Sequence, residues 1–403
     1  MNSQAKKKIL KHVAAAGRLA TRQSIGYNLS RVLDLQQQKV IIDSMAQSPS
    51  VGGMAQSPSV GGMETAIFTT PDLFTTLAAE WNALLRNSSA DTPFLTLEWQ
   101  STWWDCLCEG ELFVITVRDS GALVGLAPLF VVTRPLRDGE APRRLLRILG
   151  GVDASDYLDF IAERGREREV LDAVLATLAQ SDRWDALDLY NIPEAAITRE
   201  VLPALVAAHD WKMTDEVQVV CPIIQLPISF DDYVASLDKK ERHELRRKLR
   251  RADGTDGLTW YAITAEDHEH DLDEAAEAFI DLMMKSRSDK SDFMTEPMRR
   301  FFHQVIHATH DGGFLHLSFL EVSRVKAATY LCFDYGSRRM VFNSGLETTG
   351  FQSLSAGIVL AAKLIEQSIG RGHTEFDFLR GNEDYKYRLG ARDTYIYHVT
   401  VER

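Results

Sequence analysis

The sequence predicts an α/β (α+β) chain in which one unit, a mixed and mostly antiparallel sheet flanked by helices, occurs twice in tandem. Two observations predict it. Segments with helical apolar spacing alternate with short β-rich runs along the chain. The order of those segments (helices, an antiparallel meander, helix, strand, helix or loop, strand) is met once over residues 63–224 and again over 225–403. The chain has 403 residues, room for two or three domains of ~150 residues each. Its 45% apolar and 25% charged residues suffice for packed cores and argue against a disordered chain, a collagen or a bare coiled coil.

Each element has its own signal. Pro71-Asp72 opens a helix with apolar positions Leu73, Leu77, Trp81, Leu84 and Leu85, and Asp91-Thr92-Pro93 ends it. A Trp-rich segment (Trp99, Trp103, Trp104) follows, then strands Leu112–Val117 and Ala122–Val132 around the turn Asp119-Ser120-Gly121. Further strands are expected at Leu145–Leu149, Tyr157–Ile161, Ala186–Tyr190 and Val217–Ile224, with helices at Glu167–Leu178 and Ala195–Ala208. In the second half, helices at Phe230–Ser236 and Lys239–Arg251 precede a strand at Leu258–Ile263. Helices from Glu266 to Lys285 and Pro297 to Thr309 lead into strands Phe314–Glu321, Lys326–Asp334 and Arg339–Ser344. A helix Leu354–Ile369, stopped by Gly370, and strands Glu375–Phe378 and Tyr395–Val401 complete the unit.

Residues 1–62 read differently. They start basic, with Lys6-Lys7-Lys8 and no acidic residue before Asp34, and no apolar core of a secretory signal follows. Met45–Gly53 is then repeated without change as Met54–Gly62, a Ser/Pro/Gly-rich nonapeptide that reads as a flexible linker. The tract is expected to be a dispensable extension before Met63, with a partner-binding arm or a targeting segment as alternatives.

Net charge is −12, which argues against nucleic-acid binding by the whole surface, so no DNA partner is expected and tRNA is disfavoured. Four cysteines without a C-x-x-C suit a reducing cytoplasm rather than a disulfide scaffold. The longest uncharged apolar run, Gly121 to Thr133, falls short of the ~20 residues of a membrane span. No P-loop and no G-x-S-x-G elbow occurs. His303, His307 and His310 have helical spacing without H-E-x-x-H, so no metal site is expected.

Chemistry-bearing residues gather in four places. The run Asp238–Arg251 fits a helix capped by Asp238, with Arg242 and Arg246 on one face and Leu245 and Leu249 on the buried side; it is either a solvated face or a phosphate grip. Phe342-Asn343-Ser344-Gly345 leads through a polar loop to Ser355-Ala356-Gly357, a helix start suited to an anion. Glu375–Gly390 sets Asp377, Arg380, Asn382, Glu383, Tyr385 and Lys386 beyond a strand end, with Asp377 facing away from Phe376 and Phe378. Asp153–Asp159, with Asp156 and Tyr157, is a polar strand entry.

Together, Phe342-Asn-Ser-Gly345, Leu354-Ser-Ala-Gly-Ile-Val-Leu360, Phe376-Asp-Phe-Leu-Arg-Gly381 and Tyr385-Lys-Tyr-Arg-Leu-Gly390 resemble the CelD-type or BioF-type GNAT acetyltransferases of bacterial polysaccharide gene clusters. The basic pattern from Leu237 to Arg247 fits too, as do Trp103-Trp104, Ala127-Pro-Leu129 and Ser155-Asp-Tyr-Leu-Asp159. That family is similar to the Fem-type peptidyltransferases, which add amino acids from aminoacyl-tRNA to cell-wall precursors on two fused GNAT domains. The resemblance implies two tandem GNAT-like domains, 63–224 and 225–403, the second carrying the active site.

It implies an N-acyltransferase that moves an acetyl or other acyl group from acyl-CoA, as co-substrate, to an amine on a sugar or envelope precursor. Lys386 and Arg380 would stabilise the oxyanion, and Asp377 would orient Lys386 or take the amine proton. Ser355, Ala356 and Gly357 would hold the donor's phosphates. Arg242, Arg246, Tyr385, Asp156 and Tyr157 would bind substrate. Leu389 stands where Fem-type enzymes have Phe, and Phe351–Gly357 stands where ordinary GNAT enzymes have [QR]-x-x-G-x-[GA]. An aminoacyl-tRNA-dependent transferase and a non-catalytic binding protein are the alternatives.

Overall fold

β-branched and aromatic runs between turn residues become strands here because each finds a paired edge and a covered face. The computed structural model describes residues 55–60 and 62–403; the basic tract and the first nonapeptide copy lie outside the described residues. The strands are β1 (Ala55–Val60), β2 (Met63–Phe68), β3 (Glu111–Leu112), β4 (Val114–Asp119), β5 (Ala122–Ala127), β6 (Leu129–Arg134), β7 (Arg143–Ile148) and β8 (Ile161–Ala162). They continue with β9 (Ala186–Pro193), β10 (Lys212–Gln225), β11 (Leu258–Thr264), β12 (Leu315–Val322), β13 (Val325–Tyr335), β14 (Arg338–Leu346), β15 (Glu375–Asp377) and β16 (Arg392–Glu402). One sheet has the order β1-β2-β4-β5-β8, the other β11-β12-β13-β14-β15-β10-β16-β9-β7-β6-β3. Helices flank these mostly antiparallel sheets, as the order of elements predicts. No helix among the described residues is long and apolar enough to cross a membrane.

The expected hairpin around Asp119-Ser120-Gly121 forms, with Ser120 (φ +50°) and Gly121 (φ +87°) both left-handed, as a tight hairpin turn requires. It is interrupted at Phe113 and Pro128, so its tip (β4, β5) joins the small sheet and its base (β3, β6) the large one. β1 lies inside the second nonapeptide copy, in the stretch expected to be linker, and pairs antiparallel with β2. Pro58 falls in the irregularity between Ser57 and Val60, where its missing N–H breaks no regular ladder.

The last strand of each half pairs with the other half. β10, which ends the first half, pairs with β15 over Ile223–Gln225; β16, which ends the second, pairs with β9. β10 and β16 also pair with each other from Lys212↔Glu402 to Ile223↔Arg392. The expected boundary after residue 224 therefore falls at the end of a strand shared between the halves.

Several expected boundaries move. The helix expected from Pro71 to Leu85 is two, Asp72–Thr76 and Trp81–Arg86. The helix expected from Glu266 starts at Leu272, because the Asp271 carboxylate accepts from the Glu274 amide at 2.9 Å. Asp238 occupies the N-cap of Lys239–Asp253 without a side-chain capping bond. No strand forms over 157–160; Tyr157 is left-handed (φ +49°), which ends any pleated run there.

Helices Leu272–Ser286 and Glu296–Asp311 cover one face of β11–β14, in a core continuous with the first half. Phe230–Ser236, Lys239–Asp253 and Ala356–Gly370 cover the other face with a separate core. The halves meet on aromatic rings: Trp99, in helix Leu97–Leu107, has its centroid 5.5 Å from Phe301, 5.5 Å from Phe333 and 5.2 Å from Phe342. Gly345 allows helix Leu272–Ser286 to rest on β14, since a Cβ there would lie 2.4 Å from the Met283 amide nitrogen and 2.5 Å from the Leu282 carbonyl carbon. Gly345→Ala is expected to destabilise the fold by about 2 kcal/mol or more, because backbone must move. Gly370→Ala, with nothing within 4 Å of its new Cβ, is expected to leave the melting temperature unchanged or raised. Paired thermal melts of the two variants check this.

Candidate functional site

The site begins as a gap in the large sheet. β14 and β15 are parallel, and their pairing covers only Arg338↔Glu375 to Met340↔Asp377. β15 then ends while β14 runs on to Leu346. On its other side β14 pairs with β13 as Cys332↔Val341 and then Leu331↔Asn343, so Phe342 is the extra residue of a bulge. A bulge bends its strand and re-aims side chains. Phe342, Asn343 and Ser344 are all half-buried, three in succession on an interior strand, which marks the opening. The first half repeats the device: β7 and β9 are parallel only over Leu145↔Ala186 and Leu146↔Leu187. There the gap is plugged. Asn191 Nδ2 donates to the carbonyls of Ser155 (2.9 Å), Gly151 (3.3 Å) and Val152 (3.3 Å), and the cavity beside it is only ≈ 10 Å³.

At the open gap lies a cavity of ≈ 160 Å³. Phe293, Met298, Phe301, Phe302 and Phe342 form its apolar walls. Asn343, Leu379 and Arg380 from the second half, and Asp153, Ala154 and Asp156 from the first, complete it. Asp156 is buried and ion-pairs with the Arg380 guanidinium, which also donates to the carbonyls of Val152 (2.5 Å) and Asp153 (3.1 Å). Burial pushes the Asp156 carboxyl up, and the charges of Arg380 and Lys386 oppose that rise. Lys290 Nζ donates to Asn343 Oδ1 (2.8 Å) and Ser344 O (2.6 Å) at the edge of the cavity.

Behind this wall sits Asp377, fully buried. Its Oδ2 accepts from the Tyr157 hydroxyl at 2.8 Å, and its Oδ1 from the Leu379 amide at 2.7 Å. Asp377 faces away from Phe376 and Phe378, whose rings pack together in the opposite core. Burial pushes the Asp377 carboxyl up to about 7, against the hydrogen bonds from Leu379 and Tyr157. Burial also raises the Tyr157 hydroxyl, and it raises the Cys221 thiol close by, which the neighbouring Asp156 and Asp377 carboxylates lift further.

Lys386 is placed otherwise than expected. The residue is 3% exposed, and its ammonium lies 2.7 Å from Arg380 O, 3.1 Å from Gly381 O, 3.2 Å from Phe378 O and 3.4 Å from Leu379 O. Glu383 Oε2 is 2.9 Å away. The three N–H protons are taken up by the loop itself, which turns through the left-handed Leu379 (φ +52°). Lys386 thus holds the loop that carries Leu379 and Arg380 into the cavity and does not line it. Asp377 orients Tyr157 and the loop rather than Lys386, because its oxygens are already engaged there.

The remaining expected residues belong to the other face of the sheet. Tyr385 packs edge-on against Phe378 at 5.8 Å. Ser355 (φ +56°) is the N-cap of helix Ala356–Gly370. Space at Gly357 is taken by Leu346, whose Cδ2 would lie 2.8 Å from a Cβ at 357, so this glycine serves helix packing rather than close approach of a ligand. Among the described residues the amides of Ala356 and Gly357 have no backbone acceptor, and Arg251 reaches the same turn by donating to the Ser353 carbonyl. These groups suit a diphosphate. Arg242 donates to Leu237 O at 3.1 Å, whereas Arg246 is exposed on the same helix.

The structure therefore brings together Asp156, Tyr157, Asp377 and Arg380, and sets Arg242, Arg246, Tyr385 and Ser355–Gly357 on a separate surface. Sequence reasoning missed the aromatic walls, Asp153, Asn343 and Cys221. Asp153 and Asn343 sat inside segments it singled out; the adjacent Phe301 and Phe302 read as ordinary core, and Cys221 carried no signal. His303 and His307 pair with Glu277 and Asp273 of the neighbouring helix. Among the described residues no group of three or more metal-ligating side chains is arranged to hold a metal ion.

Residues 239–387 match the acetyltransferase (GNAT) domain family. Among solved structures, FemX matches over 79% of this chain and 95% of its own, at 14% identity and TM-score 0.57. A conserved protein of unknown function from Bacteroides thetaiotaomicron VPI-5482 matches over 81% and 97%, at 13% identity and TM-score 0.53. At such identities the likeness is one of fold. No curated protein matches the chain.

Two outcomes follow from this geometry. Asp377 has a folded pKa of about 7 against an ordinary 3.8, so the folded state holds its proton more tightly and stability falls as pH rises through that interval. Asp377→Asn has no such proton to lose. Its stability relative to wild type is expected to rise between pH 4 and 7, by at most about 4 kcal/mol, and then level off; denaturant melts at stepped pH read this. Lys386→Ala removes the cation from the buried loop carbonyls and is expected to cost roughly 3 kcal/mol, whereas Arg246→Ala is expected to leave the melting temperature unchanged.

Proposed function

We propose that the protein is an N-acyltransferase that joins an acyl thioester and an amine at the gap between β14 and β15. The observation that carries this reading is the gap itself: a bulged strand released by its parallel neighbour, with the start of helix Ala356–Gly370 on one face and a cavity on the other. A linear thioester fits such a gap, with its carrier on the face of Ala356 and Gly357 and its carbonyl at the bulge. Acyl-CoA is the donor this arrangement favours, since those amides and Arg251 suit its diphosphate.

The amine enters from the cavity. Its nitrogen attacks the thioester carbonyl carbon, the C–N bond forms, the C–S bond breaks and the thiolate leaves. Asp156, buried and poised by burial toward protonation, accepts the ammonium proton. Backbone along the freed edge of β14, together with the positive charge of Arg380, stabilises the oxyanion. Lys386 and the Tyr157–Asp377 pair act as positioning residues: they hold the loop of residues 378–381. The resemblance to polysaccharide-cluster acetyltransferases supports an amine of a sugar or envelope precursor as acceptor.

A second donor has one observation in its favour. Exposed Lys239, Lys240, Arg246 and Arg250 line the basic helix, a face that suits aminoacyl-tRNA. A thermal-shift titration of the full chain with coenzyme A and acetyl-CoA tests the donor, because a ligand held only by the folded state raises the melting temperature. A rise of about 2 °C or more with millimolar coenzyme A, lost on reversing Arg251 to Glu, is expected. No shift with coenzyme A, but one with charged tRNA, would turn the reading to the second donor.

A further inference from the structure

We infer that strand β11 is a docking edge for a second copy of this chain, paired antiparallel about a two-fold axis so that the large sheet continues into the partner. Four strands end the two sheets: β1 and β8 in one, β11 and β3 in the other. Sheet edges are kept from pairing by shortness, proline, irregularity or charge. β3 and β8 have two residues each. β1 holds Pro58 and a break in register. β11 has none of these devices. Its seven residues, Leu-Thr-Trp-Tyr-Ala-Ile-Thr, carry no charge and no proline, and they pair with β12 from Leu258↔Val322 to Thr264↔His316 without a shift.

The outer side of β11 offers backbone to a partner. Among the described residues, its backbone bonds outside the β12 ladder lie at its two ends: the Leu258 amide donates to Thr255 O (3.3 Å), and Thr264 O accepts from the Asp267 amide (2.9 Å). Between them Thr259 is exposed, and Trp260 and Tyr261, on opposite faces of the strand, are half-buried. The first half shows the matching place filled. β2 pairs antiparallel with β4 as β11 does with β12, and β1 is added antiparallel on the outer edge of β2. Among the described residues the second half has no such cover.

Charge selects the occupant and its direction. Residues 246–257, before β11, hold five Lys/Arg and two Asp; residues 265–271, after it, hold four Asp/Glu and no Lys/Arg. An antiparallel copy brings the basic flank of each chain to the acidic flank of the other, once at each end of the ladder. A parallel copy would set like charge against like, which is destabilising. The antiparallel pair is isologous: each edge is consumed by its own copy, so assembly closes at two chains.

Sedimentation equilibrium of the full chain tests this. With tens of micromolar protein at low salt, the mass is expected to be twice 45.3 kDa. Raising salt from roughly 50 to roughly 500 mM is expected to weaken the dimer about fivefold, because the flanking contacts are screened. Amide hydrogen exchange over residues 258–264 is expected to slow as the dimer forms. Thr259→Lys puts a charge on the edge at an exposed position and is expected to weaken the dimer about tenfold. Arg250→Glu and Glu266→Lys, both at exposed positions, are each expected to weaken it about threefold, and the two together in one chain to restore it. That pair decides the matter by itself should Thr259→Lys fail to fold. A monomer at these concentrations, a dimer that Thr259→Lys leaves intact, or a double reversal that restores nothing would overturn the inference.

Discussion

The exchange of final strands between the halves is the constraint on which the rest of the molecule depends. β10 leaves the first half and hydrogen-bonds to β15 of the second, and β16 returns to β9 of the first. Because β10 and β16 also pair along most of their lengths, separating the halves means breaking a continuous ladder, not merely an interface. β10 does more than join. The Phe378 amide donates to Pro222 O at 3.0 Å and the Gly381 amide to Val220 O at 3.1 Å, so the same strand holds the loop that carries Arg380. With β10 on one side, β15 needs only three residues of pairing with β14, and its early end leaves the gap open.

The two halves use one architecture unequally. Each has a short parallel pair that splays apart, but Asn191 fills the first gap while the second leads to a cavity. The first half contributes walls and charge instead, through Asp153, Asp156 and Tyr157. That division needs a rigid junction, and the Trp99 contacts with Phe301, Phe333 and Phe342 supply it. Buried carboxylates at such a junction are costly unless bonded. Here each is tied across it, Asp377 to Tyr157 and Asp156 to Arg380, so the polar groups that serve the site also fix how the halves meet.

Much of this was legible in the residues. Apolar spacing located the long helices and most strands within a few positions, because helices such as Glu167–Gln180 bury one stripe and the second-half strands carry runs of β-formers bounded by turns. The four chemistry-bearing segments were also visible as local departures from ordinary patterning, and parts of three of them, around Asp156, Asn343 and Arg380, converge on one cavity. What escaped was decided by neighbours distant in the chain. Tyr157 has strand-like neighbours, yet a left-handed backbone places its hydroxyl on Asp377, 220 positions away. Pro58 argues against a strand, yet an irregularity in β1 itself, between Ser57 and Val60, accommodates it.

By itself the sequence determined the fold class, the duplication of one α/β unit and the segments from which a site can be built, since these follow from periodicity and local residue chemistry. Only the tertiary structure decided which side chains share a space. Lys386 shows why. Its motif marks it as functional from the chain alone, but whether a lysine faces a substrate or a cage of carbonyls depends on the path of its own loop, which the long-range bonds to β10 set. The cavity is likewise absent from any stretch of sequence, because its walls come from two helices, a bulged strand and the other half, and a void exists only where packing fails to close it.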